Sequence, residues 1–379
     1  MSAGFDSKRF LEILIHKGVG LVAGVPDSLL AGFCAVLSES DIHLPAPNEG
    51  SAVALAAGHY LATGRPAVVY MQNSGLGNAV NPLVSLADPE VYAIPMLLII
   101  GWRGEPGIKD EPQHIKQGRV TPALLEVLEI PYRIVGPDSN LEMEIELAWE
   151  AMWCRPGPAA MLVRKETFQA IESSGEKRCR DIDRSLIARE EAIEGVLEQL
   201  LPDDMVVSTT GRASRELWEL RLKRGECCAD FLTVGSMGHA SAIALAAAKA
   251  RPDRRVICLD GDGALLMHLG MLGMAGSSRP ANFLHILLNN FCHESVGGQP
   301  VCAAGLDFSL LARGCGYSTA RRLASQREIA EVFKSLKELN GPHFCEILLT
   351  PGSRDDLGRP SATPKENRAR FMERMAKAL

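Results

Sequence analysis

Short, continuous apolar runs alternate with longer amphipathic stretches along this chain. Asp6 caps a helix with apolar positions at Phe10, Leu11, Leu14 and Ile15, and Gly18 ends it. A strand over Gly20–Val25 stops at Pro26, a helix follows from Asp27, a strand lies near Ile42–Ala46, and another helix opens at Glu49. Ala67–Met71, Ile94–Ile100 and Ala159–Val163 are apolar without alternation, as parallel strands covered on both faces are. From Glu166 to Asp183 the chain turns polar around Ser173, Ser174 and Gly175. The pattern then resumes. Helices are expected at Ser185–Leu201, Ser214–Lys223, Ala240–Ala250 and Ala264–Ala275, and strands at Met205–Thr209, Val256–Leu259, Phe283–Leu288 and Phe344–Leu349. A charged tail follows Thr350, with a helix at Lys365–Lys377. The fold class is therefore α/β, with two doubly wound parallel-sheet domains. The expected division is a first domain at 1–170, a linker at 171–184, a second domain at 185–350 and a tail at 351–379.

Composition narrows the function. The 379 residues carry a formal net charge of −6 and no long basic run, which excludes a nucleic-acid partner. The start, MSAGFDSKRF, has no apolar signal core, and the longest apolar run, Ile94–Ile100, is far too short for a membrane span. The ten cysteines form no CxxC pair and read as reduced, small buried hydrophobes of a cytoplasmic protein.

The strongest chemical signal is Gly261-Asp262-Gly263 at the end of one buried strand and Asn289-Asn290 at the end of the next. Glycines there let backbone N–H groups approach a diphosphate, and the following helix adds its positive end. Asp262 offers a carboxylate oxygen and Asn290 an amide oxygen, donors that suit Mg²⁺ when a diphosphate completes the shell. A dinucleotide site is the competing reading of a glycine-rich turn, but no GxGxxG follows the first strand of either half. Glu49, in Asn48-Glu49-Gly50, opens an Ala-rich helix that ends in Ala-Thr-Gly; it is also an ordinary first-turn acid.

These segments resemble the thiamine-diphosphate enzymes. The resemblance implies the cofactors thiamine diphosphate and Mg²⁺, with the cation held by Asp262, Asn290 and the carbonyl of Cys292. It implies that Glu49 faces the aminopyrimidine ring, whose amino group then serves as the base toward the thiazolium carbon. Gly235-Ser236-Met237-Gly238-His239 is similar to the segment that supports the bent cofactor, with Met237 as the supporting side chain, although a methionine there also serves as core filler. Thr210 and Gly211 lie where further diphosphate contacts are made. The family also implies a homodimer or homotetramer with active sites at the subunit interface.

The chain has no room for a third domain between the two halves. GVPDSLL, NEGSAVALAAGHYLATG, YMQNSGLGNAVNPL, IGWRGEPG, DEPQHIKQGRVT, TTGRASREL, GSMGHASAIALA and HESVGGQ are similar to the phosphonopyruvate decarboxylases along nearly the whole length. Two departures stand out, Asn289 where that family has Asp and Glu294 where it has Asp. The resemblance implies decarboxylation of the 2-oxo acid 3-phosphonopyruvate to phosphonoacetaldehyde and CO₂, in phosphonate and antibiotic biosynthesis. Sulfopyruvate decarboxylation is the alternative, and a non-catalytic subunit is a third reading. A phosphonate needs cations and hydrogen-bond donors, for which Arg103 and His293 are the first candidates, beside Lys109, His114 and Arg119. Asp27 resembles the acid that moves protons after CO₂ leaves, and His114 shares that task. Asp27 is also a natural N-cap before Ser28.

Overall fold

A computed structural model describes residues 4–169, 185–296, 298–302, 305–336 and 339–377. The expected linker at 171–184 lies outside them. The chain divides into two compact units, Met1–Arg178 with Ser295–Cys302 and Cys179–Glu294 with Ala303–Leu379.

The first unit runs α1 (Ser7–His16), β1 (Leu21–Gly24), α2 (Ala31–Leu37), β2 (His43–Pro45), α3 (Glu49–Thr63), β3 (Ala67–Gln72), α4 (Leu76–Pro82), β4 (Met96–Gly101), α5 (Pro112–Val127), β5 (Tyr132–Val135), α6 (Leu141–Cys154) and β6 (Pro158–Val163). Its six parallel strands lie in the order β2-β1-β3-β4-β6-β5. The continuous apolar runs are explained by the two faces. Leu97 and Ile99 of β4 enter one core with Phe10, Phe33 and Tyr70, while Met96, Leu98 and Ile100 enter another with Val53, Ala57 and Leu76. Asn48 caps α3 by accepting from Ser51 N at 2.9 Å, and Gly64, at φ +69°, ends it.

The second unit runs α7 (Arg189–Leu197), β7 (Met205–Ser208), α8 (Arg212–Lys223), β8 (Phe231–Leu232), α9 (Ala240–Ala250), β9 (Val256–Gly261), α10 (Asp262–Met267), α11 (Gly270–Ser278), β10 (Phe283–Asn289), α12 (Phe308–Gly314), β11 (Thr319–Leu323), α13 (Gln326–Leu336), β12 (His343–Leu348) and α14 (Pro364–Ala376). Its parallel sheet has the order β11-β12-β10-β9-β7-β8. Counted within each unit, both sheets follow one connectivity, 2-1-3-4-6-5.

Several expectations are corrected. The helix from Asp27 is a 3₁₀ turn, Ser28–Leu30, that leads into α2; Asp27 turns its carboxylate to Leu29 N and holds the tighter turn. The helix at Ala264–Ala275 is two helices, broken at His268. Three glycines at 270, 273 and 276 weaken its second half, and a Cβ at Gly276 would overlap the Cys315 carbonyl. Ile15 is 42% exposed although it lies in α1. Cys154 and Cys227 are exposed, so the reading of every cysteine as buried fails for them. No described helix is long and apolar enough to cross a membrane.

Candidate active site

In open parallel sheets, ligands meet the loops at the carboxyl ends of the strands. The candidate residues of both units sit there. In the first unit Asp27 follows β1, Glu49 follows β2, Gly75 follows β3 and Arg103 follows β4. In the second, Thr210-Gly211 follows β7, Ser236–His239 follows β8, Gly261–Gly263 ends β9, and Asn290–His293 follows β10.

The first unit gathers ionisable side chains. Asp27 is fully buried; its Oδ2 accepts from Leu29 N at 3.1 Å and its Oδ1 has no hydrogen-bond partner among the described residues. Burial pushes this carboxyl up to about 6, against the pull of the Arg103 charge. Gly101 passes so close that a Cβ there would overlap Asp27 Oδ2. Arg103 is braced on three sides. Its Nε donates to Asp110 Oδ2 at 2.8 Å, Nη2 donates to Asp110 Oδ1, and Nη1 donates to Ser28 Oγ at 2.8 Å. Against the cost of burial, bonds from Arg103 and from the Glu111 and Gly104 N–H groups hold the Asp110 carboxyl well below the usual range. The buried amide of Asn73 fixes the Arg103 backbone, accepting from its N at 3.1 Å and donating to its carbonyl at 2.9 Å.

Glu49, the first residue of α3, is 5% exposed and accepts from Asn78 Nδ2 at 2.8 Å. Only a glycine fits at 75, since a Cβ would overlap Glu49 Oε1. His114 lies buried on α5 with Nδ1 unpartnered among the described residues, and burial, then the Arg103 charge, lowers its pKa. It is therefore a neutral hydrogen-bonding group rather than a cation. Lys109 and Arg119 are exposed.

The second unit relies on glycines and backbone groups. Gly211, at φ +96°, opens α8, and Thr210 Oγ1 accepts from Gly235 N at 3.1 Å. Ser236 (φ +45°) and Gly238 (φ +89°) shape the turn that carries Met237 and His239. Position 263 is hemmed in: a Cβ there would lie 2.7 Å from His293 Cε1 and 3.3 Å from Met237 Cε. Burial lowers His293 to about 4, so near neutral pH it too is uncharged.

Asp262 Oδ1 accepts from Gly263 N at 2.7 Å, while its buried Oδ2 has no partner among the described residues. Burial raises this carboxyl to about 7, opposed by the N–H groups of Gly263 and Phe291 and by the charge of Arg189. Asn290 Oδ1 accepts only a long bond, 3.3 Å, from Cys292 N among the described residues. An orphaned carboxylate oxygen beside an under-used amide oxygen fits a hard divalent cation, which would also reverse the cost of burying Asp262. The expected contribution of the α10 dipole is small, because α10 has only six residues.

Sequence reasoning missed the residues that brace the site. Asp110, Asn73 and Asn78 stand out only when the loops are closed. Asp260 is fully buried under the Gly261–Gly263 turn, with Oδ1 accepting from Gly261 N at 2.9 Å and Oδ2 at 3.3 Å from His285 Nε2; His285 Nδ1 in turn meets the Tyr317 hydroxyl at 3.2 Å.

Two family models match. Residues 7–122 match the thiamine pyrophosphate enzyme N-terminal TPP binding domain, and residues 209–347 the C-terminal TPP binding domain. The chain belongs to the thiamine pyrophosphate enzymes. It is similar to the phosphonopyruvate decarboxylase of Streptomyces viridochromogenes, 36% identical over 94% of this chain and 92% of that protein. The phosphonopyruvate decarboxylase of Streptomyces hygroscopicus is also 36% identical, over 97% and 93%. The sulfopyruvate decarboxylase of Methanosarcina acetivorans is 28% identical over 97% and 96%. The chain is thus a thiamine-diphosphate-dependent decarboxylase of this compact, two-domain branch.

Proposed function

We propose that this enzyme decarboxylates 3-phosphonopyruvate to phosphonoacetaldehyde in phosphonate biosynthesis. The observation that carries the reading is the near full-length likeness to two phosphonopyruvate decarboxylases, closer than that to the sulfopyruvate enzyme. A non-catalytic role is disfavoured, because both the buried Glu49 and the orphaned Asp262 oxygen are present.

In this reading Asp262, Asn290 and the Cys292 carbonyl hold Mg²⁺, and Thr210, Gly211, Gly261 and Gly263 cradle the diphosphate. Met237 supports the cofactor within the Ser236–His239 turn, and Glu49 holds a proton at the aminopyrimidine ring. The bound cofactor supplies the electron sink for loss of CO₂. Asp27, raised to about 6, can both hold and release a proton near neutral pH, and His114 sits as a neutral partner for the same transfer. Arg103 gives three N–H bonds within the protein and has two more to offer an anion, with His293 as a neutral donor. The free, described cysteines suit a cytoplasmic enzyme, and the active form is a homodimer or homotetramer.

Product analysis tests the substrate. Purified enzyme with Mg²⁺ and thiamine diphosphate is expected to turn phosphonopyruvate into phosphonoacetaldehyde, with kcat/KM at least about 10²-fold above that for pyruvate, which leaves the site's donors unpaired. A preference for sulfopyruvate or pyruvate contradicts the reading.

A further inference from the structure

A chain of buried and half-buried charges ends on Asn290. Glu294 Oε2 accepts from Asn290 Nδ2 at 3.1 Å and from Arg189 Nη1 at 2.5 Å, while Glu294 Oε1 accepts from Arg212 Nη1 at 3.4 Å. Arg189, the first residue of α7, is 7% exposed and is itself held by both oxygens of Glu216, at 2.7 and 2.8 Å; Glu216, on α8, is 1% exposed. Two helices thereby fix one carboxylate at the exit of β10.

The chemistry at the end of this chain is directional. A primary amide presents a donor on one side and an acceptor on the other, and the two differ little in shape. An ionised carboxylate only accepts. With Glu294 against it, the Asn290 amide can turn only its NH₂ group that way, which leaves Oδ1 on the opposite side. A cation can use Oδ1 and cannot use the NH₂. A neutral or donating group at 294 would leave that selection to the long bond from Cys292 N alone.

We propose that Glu294 is a positioning residue: held by Arg189, it locks the Asn290 amide with Oδ1 turned toward the cation. The proposal rests on the reading of Asp262 and Asn290 as Mg²⁺ ligands. The glutamate reaches Asn290 and two arginines at once. Partners one shell out from a metal commonly alter its affinity by ~10–100-fold.

The test is the Mg²⁺ concentration giving half-maximal thiamine diphosphate binding, read by calorimetry on full-length enzyme, beside the melting temperature of the cofactor-free protein. Glu294→Gln is expected to need ~10–100-fold more Mg²⁺ than wild type, since its side chain can also donate and lets the amide turn over. Glu294→Asp, which still only accepts, is expected to recover much of that affinity, and it decides the matter if the Gln variant does not fold. An unchanged Mg²⁺ requirement with a lowered melting temperature would show a purely structural ion pair and overturn the proposal. So would equal weakening in the Asp and Gln variants. Cofactor binding to wild type that ignores Mg²⁺ would sink the metal reading itself, and Glu294's role with it.

Discussion

The two sheets share the 2-1-3-4-6-5 connectivity, yet their strand ends are furnished in opposite ways. In the first unit the loops after β1, β2 and β4 carry Asp27, Glu49 and Arg103, each ionisable: Asp27 is held by the Leu29 N–H, Glu49 by the Asn78 amide and Arg103 by the Asp110 carboxylate. In the second unit the matching loops carry Gly211, Gly238, Gly261 and Gly263, with one carboxylate oxygen, Asp262 Oδ2, lacking a partner among the described residues and one amide oxygen, Asn290 Oδ1, in a long bond only. A shared topology therefore fixes where a site forms, while residue type decides what chemistry it can support.

Expected outcomes of substitution would sharpen or break this division. The largest concerns Glu49. Glu49→Gln keeps the size and the Asn78 contact but cannot share a proton with the aminopyrimidine, so hydrogen–deuterium exchange at the thiazolium carbon is expected to slow by ~10²–10⁴-fold. NMR after acid quench reads the rate, and unchanged exchange would remove proton handling by Glu49 from the first unit.

Asp27 gives a smaller, pH-dependent effect. Its carboxyl is raised by burial from 3.8 to about 6. Between those values the folded chain keeps a proton that the unfolded chain has released, so this group's contribution is greatest at low pH and is lost as pH rises through about 6. The loss amounts to at most about 3 kcal/mol, at about 1.4 kcal/mol per unit. Asp27→Asn has no such step. Relative to wild type, its cofactor-free form is expected to gain stability in denaturant melts between pH 4 and pH 7. A difference that stays flat with pH would place Asp27 in a more polar setting than its burial implies.

Much of this arrangement is legible in the sequence. Ala240–Ala250 is a helix from end to end as expected, α3 opens at Glu49, and β9 and β10 deliver Gly261–Gly263 and the Asn289-Asn290 pair to neighbouring positions in the sheet. Those signals are local: a buried strand, a glycine turn and a cap. The missed features depend on distance in the fold. Arg103 and Asp110 meet only because a Gly- and Pro-containing loop closes, and Glu294 reaches Arg189 across 105 positions. α5 carries Pro122 and β5 turns Arg133 and Ile134 to solvent, so neither gave a clear period. Asp260 and His285 lie on adjacent strands and touch by virtue of register, which no single segment reveals.

The division of labour is tested most directly by titrating thiamine diphosphate with Mg²⁺ into Asp262→Ala and Glu49→Gln side by side. Loss of the carboxylate should weaken cofactor binding by about 10²-fold or more, because outer partners alone account for up to that. Glu49→Gln should bind within a few-fold of wild type while remaining poorly active. Wild-type affinity in Asp262→Ala, or equal losses in both variants, would contradict the account.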